Sequence, residues 1–220
     1  MRNDSVEQQV GTYFDRAAVT FDSFYDGKRS PAMQWVDRRF RADMFERFQR
    51  TFRALEPIAG KRVLDVGCGS GLYAIEAASR GAVEVLGIDV APAMLDLARK
   101  RAEDNGVVDR CSFVNGAFPD TKPDTAYDAT IVMGVMDYIA DPLHFLQALR
   151  ECTAGTAVVS FPSRHWFRTP LRKARYRIKR CPVWLYDRNH VEQLVRDSGF
   201  TSVLIGKIPG AGMDIVVQAS

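Results

Sequence analysis

The sequence predicts an α/β fold: a doubly wound, mostly parallel seven-stranded sheet with an antiparallel C-terminal edge hairpin, helices on both faces and an N-terminal helical lid. Three observations carry this. From Lys61 onward, short apolar runs alternate with amphipathic stretches, the order that builds parallel sheets with crossover helices. The apolar runs lack a polar alternation, as strands covered on both faces do. Helix starts and stops fall between them, with Pro or Asp before and Gly after.

In chain order, the strands are expected at Arg62–Val66, Val83–Ile88, Ser112–Val114, Ala129–Val135, Ala157–Phe161, Val203–Ile208 and Ile215–Val217. Helices are expected at Leu72–Ser79 before Gly81, and at Ala93–Glu103 after Pro92. Two more follow Asp141-Pro142, at Leu143–Arg150, and Asp187, at Arg188–Ser198. The last two strands are separated only by the turn Pro209-Gly210-Ala211-Gly212, so they should pair antiparallel. Residues 1–60 read as a helical extension. Ser30-Pro31 is a cap with a first-turn proline. Phe40, Met44, Phe45, Phe48, Phe52 and Leu55 then form one apolar stripe, closed by Pro57 and Gly60. The remainder, 61–220, is one domain with a basic insertion at about 163–186.

At 220 residues, with 46% hydrophobic and 26% charged residues, the chain has the composition of a globule with its own core, not of a disordered or fibrous protein. No apolar run is long enough for a transmembrane span. Met1–Glu7 has no apolar signal-peptide region. Cys68, Cys111, Cys152 and Cys181 form no CxxC pair, which argues against a zinc site or a disulfide framework and for a cytoplasmic protein. The net charge of +3 is unevenly spread. Residues 164–180 hold eight Lys/Arg and no acid, leaving the rest at −5. An acidic body with one basic segment points to a local anionic partner.

The sharpest motif is Val63-Leu64-Asp65-Val66-Gly67-Cys68-Gly69-Ser70-Gly71, leaving a predicted strand and opening a predicted helix. Without Cβ atoms, its glycines let a ligand approach the backbone. A dinucleotide fingerprint would need its third glycine at position 72, which is Leu72. The G-x-G-x-G form resembles instead the class I (Rossmann-like) S-adenosylmethionine-dependent methyltransferase family, over a span from about Lys61 to the C-terminus. The resemblance implies S-adenosylmethionine as cofactor. Asp65 precedes the loop as in that family. Asp89, ending the second strand 22 residues after Gly67, is placed to accept the ribose hydroxyls. Cys68 belongs to the same loop. Val90 and Met94 resemble the apolar contact to adenine, and Gly116-Ala117-Phe118 the stretch after the third strand. Many family members carry an Asp where this chain has Ala117, so adenine recognition should rest on backbone groups and packing there.

Met133-Gly134-Val135-Met136-Asp137-Tyr138 resembles the family's fourth-strand exit, where the methionine end of the cofactor meets the acceptor. An Asn-Pro-Pro-Tyr type motif is absent, which disfavours methylation of planar amino nitrogens. A hydroxyl acceptor needs a proton acceptor within hydrogen-bond reach. His165, after the fifth strand, is the first candidate, its alternative a surface histidine. Asp137 and Tyr138 are the second, with a strand-exit turn as alternative. His144 and His190 read as structural or surface residues in helix first turns. A carboxylate or sulfur acceptor would need no strong base.

Residues 10–26 are rich in aromatics: Tyr13, Phe14, Phe21, Phe24 and Tyr25. They fit either a lid over a sulfonium or plain packing. The basic segment fits a solvated face, an anionic small-molecule substrate, or peripheral contact with an acidic membrane. Nucleic acid is a weaker fit, since the rest of the chain is acidic. The expected function is methyl transfer to a small molecule, with an oxygen nucleophile. The alternatives are an RNA methyltransferase using residues 164–180, and a non-catalytic binder of the same cofactor.

Overall fold

The computed structural model describes residues 9–12, 44–163, 183–207 and 215–220. Seven strands form one sheet: β1 (Arg62–Val66), β2 (Glu84–Asp89), β3 (Cys111–Asn115), β4 (Tyr127–Val132), β5 (Thr153–Phe161), β6 (Val203–Lys207) and β7 (Ile215–Ala219). Their order is β3-β2-β1-β4-β5-β7-β6. The first five pair in parallel. β7 is inserted between β5 and β6 and pairs antiparallel with both. The chain reverses direction in strand order between β1 and β4, where doubly wound sheets open a crevice at the strands' carboxyl ends.

Helix α1 runs through residues 44–55. It is followed by α2 (Leu72–Ser79), α3 (Pro92–Asp104), α4 (Pro142–Glu151) and α5 (Arg188–Asp197). The caps follow local chemistry. Asp141 accepts the His144 amide at 3.1 Å, and Asp187 the His190 amide at 2.9 Å. Pro92 and Pro142 occupy first-turn positions where no amide is needed. Apolar faces then close two cores. Phe52, Leu55, Tyr73 and Ala77 pack with Val63 and Ile131, while Phe145, Leu149, Val191 and Val195 pack with Leu64, Val132 and Val159. A full-sized buried ring such as Phe52 contributes about 3–5 kcal/mol against alanine.

Three expectations are corrected. The α1 stripe is half-buried at Phe48 and buried at Phe52 and Leu55; the Phe48 ring is tilted on Tyr73 at 5.4 Å and the Phe52 ring stacks on it at 6.1 Å. Met44 and Phe45, one turn earlier, are exposed. The fourth strand ends at Val132 and not at Val135. Gly134 takes a left-handed φ of 75°, and its amide bonds the Ser160 hydroxyl at 2.8 Å instead of a sheet carbonyl. β5 starts earlier than expected, at Thr153. Gly155 allows this, because a Cβ there would lie 2.4 Å from the Asp128 carbonyl oxygen at the β4 register shift. The turn at 209–212 and residues 13–43 lie outside the described residues, as do the Ser30-Pro31 cap and the aromatics Tyr13 to Tyr25.

Candidate functional site

The crevice is an open cleft at the carboxyl ends of β1, β2 and β4. The order of its walls follows the chain. The β1 exit supplies Val66, Gly67, Gly69 and Ser70. The β2 exit supplies Ile88, Asp89, Val90 and Met94. After β3 come Gly116, Ala117 and Phe118. Met133, Gly134, Val135, Tyr138 and Ile139 follow β4. Val10 and Phe145 complete the lining.

The glycine loop is shaped by close approach. Gly67 has φ 70°, and a Cβ on it would lie 2.2 Å from Val135 Cγ2. Gly67 and Cys68 both donate their amides to the Ile88 carbonyl, at 2.7 and 3.1 Å. Gly69, at φ 53°, has nothing within 4 Å of its Cβ position and leaves the slot open. Gly71 does not line the cleft: its Cβ position is 3.0 Å from Ala98 Cβ, so it serves the packing of α2 on α3. Cys68 is buried and also absent from the lining, its Sγ turned toward Gly87. Burial, reinforced by the charges of Asp65 and Asp89, pushes its thiol well above the usual range, so it is not a nucleophile.

Asp89 is held from two sides. Its Oδ2 accepts the Gly69 amide at 2.8 Å and its Oδ1 the Ala91 amide at 2.9 Å. Each oxygen keeps a lone pair for a ligand hydroxyl. Asp65 lies beneath the loop at 1% exposure. Burial pushes its carboxyl up to about 7, with Asp89 adding to the rise and a backbone hydrogen bond from Ala74 opposing it. Beyond β3, the Gly116 amide is used within the fold, on the Asp89 carbonyl at 3.0 Å. The Ala117 carbonyl accepts from Thr121. Backbone donors in this stretch are therefore reduced to the Ala117 and Phe118 amides.

At the other end, Tyr138 lines the cleft. Asp137 is 7% exposed and off the lining, and its carbonyl accepts the Trp184 amide at 2.9 Å. His165 lies outside the described residues. His144 and His190 are exposed on helix first turns. Sequence reasoning missed Arg47. This α1 residue brings Nη1 to 4.0 Å from the Cβ position of Gly134, and Thr51, one turn on, touches Met133 Sδ at 3.7 Å. A lone Arg in a charged helix carries no sequence signal. Ile139 and Phe145, which line the cleft, were missed as well, because their place there is tertiary. No group of three or more metal-ligating side chains occurs among the described residues, and no described helix is long and apolar enough to cross a membrane.

Residues 63–156 match the family described as "Methyltransferase domain". The mitochondrial ubiquinone biosynthesis O-methyltransferase of Schizosaccharomyces pombe is 28% identical over 166 residues, covering 74% of this chain and 58% of that protein. The ubiquinone biosynthesis O-methyltransferase of Cereibacter sphaeroides is 37% identical over 105 residues, 47% of this chain and 41% of that protein. The chain thus spans about half the length of these relatives. Magnesium protoporphyrin IX methyltransferase from Synechocystis PCC 6803, solved with bound SAH, superposes with a TM-score of 0.79 at 18% identity, covering 97% of this chain and 98% of that one. A [4+2]-cyclase, SpnF, superposes at 0.71 with 21% identity, so the shared fold alone does not set the chemistry. Residues 63–156 thus match a methyltransferase domain, and the sheet order is that of the solved Rossmann-like methyltransferase fold to which the chain is similar.

Proposed function

We propose that the cleft binds S-adenosylmethionine and that the protein transfers its methyl group to a small molecule through an oxygen nucleophile. The observation that carries this is the pairing of the bare Gly67–Gly69 loop with Asp89, which accepts an amide from that loop while facing the same cleft. The lining fits the cofactor in order. Met94, Val90, Ile88 and Phe118 offer an apolar berth for adenine, and the Ala117 and Phe118 amides offer donors to its ring nitrogens. Asp89 suits two ribose hydroxyls. Arg47, near Gly134, supplies a cation for the carboxylate of the methionine end.

Bound there, S-adenosylmethionine supplies a methyl group on a sulfonium that an in-line nucleophile displaces. The chain's part is to hold and orient. Met133, Gly134 and Val135 form the wall beside that end, and apolar Val135, Ile139 and Phe145 keep water from it. Alignment of this kind is worth up to roughly 7–11 kcal/mol of barrier in favourable cases. For a hydroxyl acceptor, Tyr138 at the cleft wall and Asp137 behind it are the described proton-accepting candidates, and His165 is a third outside the described residues. The named O-methyltransferase relatives support the oxygen assignment.

The domain division, an N-terminal lid over residues 1–60 and a catalytic body from 61, is part of the same reading. Val10 on the cleft lining, and Gly11 whose Cβ position is 3.3 Å from the Val90 carbonyl, support it. A methyl-transfer assay against a metabolite extract, read by mass spectrometry for the gain of one methylene, tests the proposal. Cofactor binding without turnover on any small molecule would instead favour a binding protein. RNA methylation in the same assay would move the acceptor to nucleic acid.

A further inference from the structure

Asp65 is the one acid of the glycine-loop motif, and it does not line the cleft. It sits in mid-sheet, in register with Gly87 on β2 and Ile131 on β4. Its Oδ2 is fully buried and has no hydrogen-bond partner in the structure. The other oxygen has the Ala74 amide from the start of α2. A carboxylate so placed lacks the solvation an ion requires. The titratable groups that face it offer no compensation. Asp89, ending β2, is a like charge. Cys68 in the loop and Cys111 on β3 are both held as thiols by burial. Arg99 on α3 reaches Cys68 electrostatically, but its guanidinium is exposed and paired with Asp96 at 2.8 Å. From β4 comes only the apolar Ile131. No positive charge therefore neutralises Asp65 from within these elements.

We propose that Asp65 is uncharged in the ligand-free protein and gives up its proton to bulk water when the slot above it takes a cationic ligand, so that cofactor binding and proton release are one coupled event. The inference rests on the reading that the slot takes S-adenosylmethionine. That molecule brings an α-ammonium and a sulfonium, and Val66, Gly67 and Gly69, which follow Asp65 directly in the chain, line the cleft. In a dry site, a cation interacts with a nearby acid far more strongly than in water. The coupling is reciprocal. A ligand that favours the ionised acid binds more tightly as pH rises through the range in which the free acid titrates. Asp89 plays a different part, because it lines the cleft and its two oxygens accept the Gly69 and Ala91 amides.

The test has two readings. Calorimetric titration of the full chain with S-adenosylmethionine at pH 7, in two buffers of different ionisation heat, counts the protons released. The wild type is expected to release about half a proton more than Asp65→Asn, whose own count removes the ligand's titration. The wild-type affinity should tighten about three- to tenfold more than that of Asp65→Asn between pH 6 and 7.5. Independently, the carboxyl carbon resonance of Asp65 in the wild type should titrate near neutrality without ligand and at lower pH with it. That reading decides the matter if Asp65→Asn does not fold. Equal proton counts, or an Asp65 carboxyl ionised throughout pH 5–8 with and without ligand, would overturn the inference while leaving the cofactor reading intact. No heat and no resonance change with S-adenosylmethionine would overturn the cofactor reading, and this inference with it.

Discussion

The amide of Gly69 donates to Asp89 Oδ2 at 2.8 Å, joining the middle of the glycine loop to the end of the neighbouring strand. One carboxylate thus shapes the slot and presents the acceptor atoms that a sugar needs. Removing it should disturb both functions.

In Asp89→Ala, the Gly69 and Ala91 amides lose their acceptor, and under the proposed function the ribose loses its partner. Cofactor affinity should fall by about 1.5–3 kcal/mol, the worth of hydrogen bonds to a charged group. Asp89→Asn keeps one oxygen and should lose less. Calorimetric titration of the two variants checks the order, and equal affinity across all three proteins would show the acid to be misassigned.

Arg47 approaches Gly134 at the far end of the cleft from Asp89. If it holds the methionine carboxylate, Arg47→Ala should weaken S-adenosylmethionine by about 1.5–3 kcal/mol while leaving 5′-methylthioadenosine, which lacks that carboxylate, unchanged. Parallel titrations with both ligands separate this role from general loss of fold, which would weaken both alike.

Gly67 and Val135 occupy one volume: a Cβ on the glycine would lie 2.2 Å from Val135 Cγ2. Gly67→Ala should destabilise by about 1–3 kcal/mol through overpacking, plus about 1–2 kcal/mol for the left-handed backbone. Adding Val135→Ala should recover the packing share and not the backbone share. Thermal unfolding of the single and double variants measures the coupling.

The Asp65 carboxyl is pushed up to about 7, mainly by burial, against an unfolded value near 3.9. With the folded value raised, the unfolded state binds fewer protons between these pH values. The penalty is therefore absent below about pH 4, grows as pH rises towards 7, and is constant above. Asp65→Asn lacks it. Its stability relative to wild type should improve between pH 5 and 8 by something of the order of 3 kcal/mol. Denaturant unfolding at the two pH values reads this directly, and a pH-independent difference would place Asp65 in its ionised form throughout.

Much of this was legible in the sequence because local chemistry and global fold agree. The apolar runs marked all seven strands, and Asp141-Pro142 and Asp187 announced helix starts through their own side chains. Gly67 and Gly69 were legible as a tight turn after β1, since both take the left-handed backbone that favours glycine. The misses came from tertiary contact. Gly71 reads like its neighbours, yet it packs against Ala98 on another helix. Met133–Val135 reads as strand, yet Ser160, 26 residues away, takes the Gly134 amide and turns the chain into the cleft wall. Arg47 looks like any charged helix residue until α1 is laid across the exit of β4. Met44 and Phe45 share a periodicity with Phe48, but periodicity does not say where the covering element stops.

The most direct measurement is an amide-resonance map of the protein with and without S-adenosylhomocysteine, the demethylated cofactor. The amides of Gly67, Gly69, Val90, Ala117 and Phe118 should shift together and saturate with a single affinity. If they stay in place at saturating ligand, or move only for a nicotinamide nucleotide, the cleft is not a methyl-donor site.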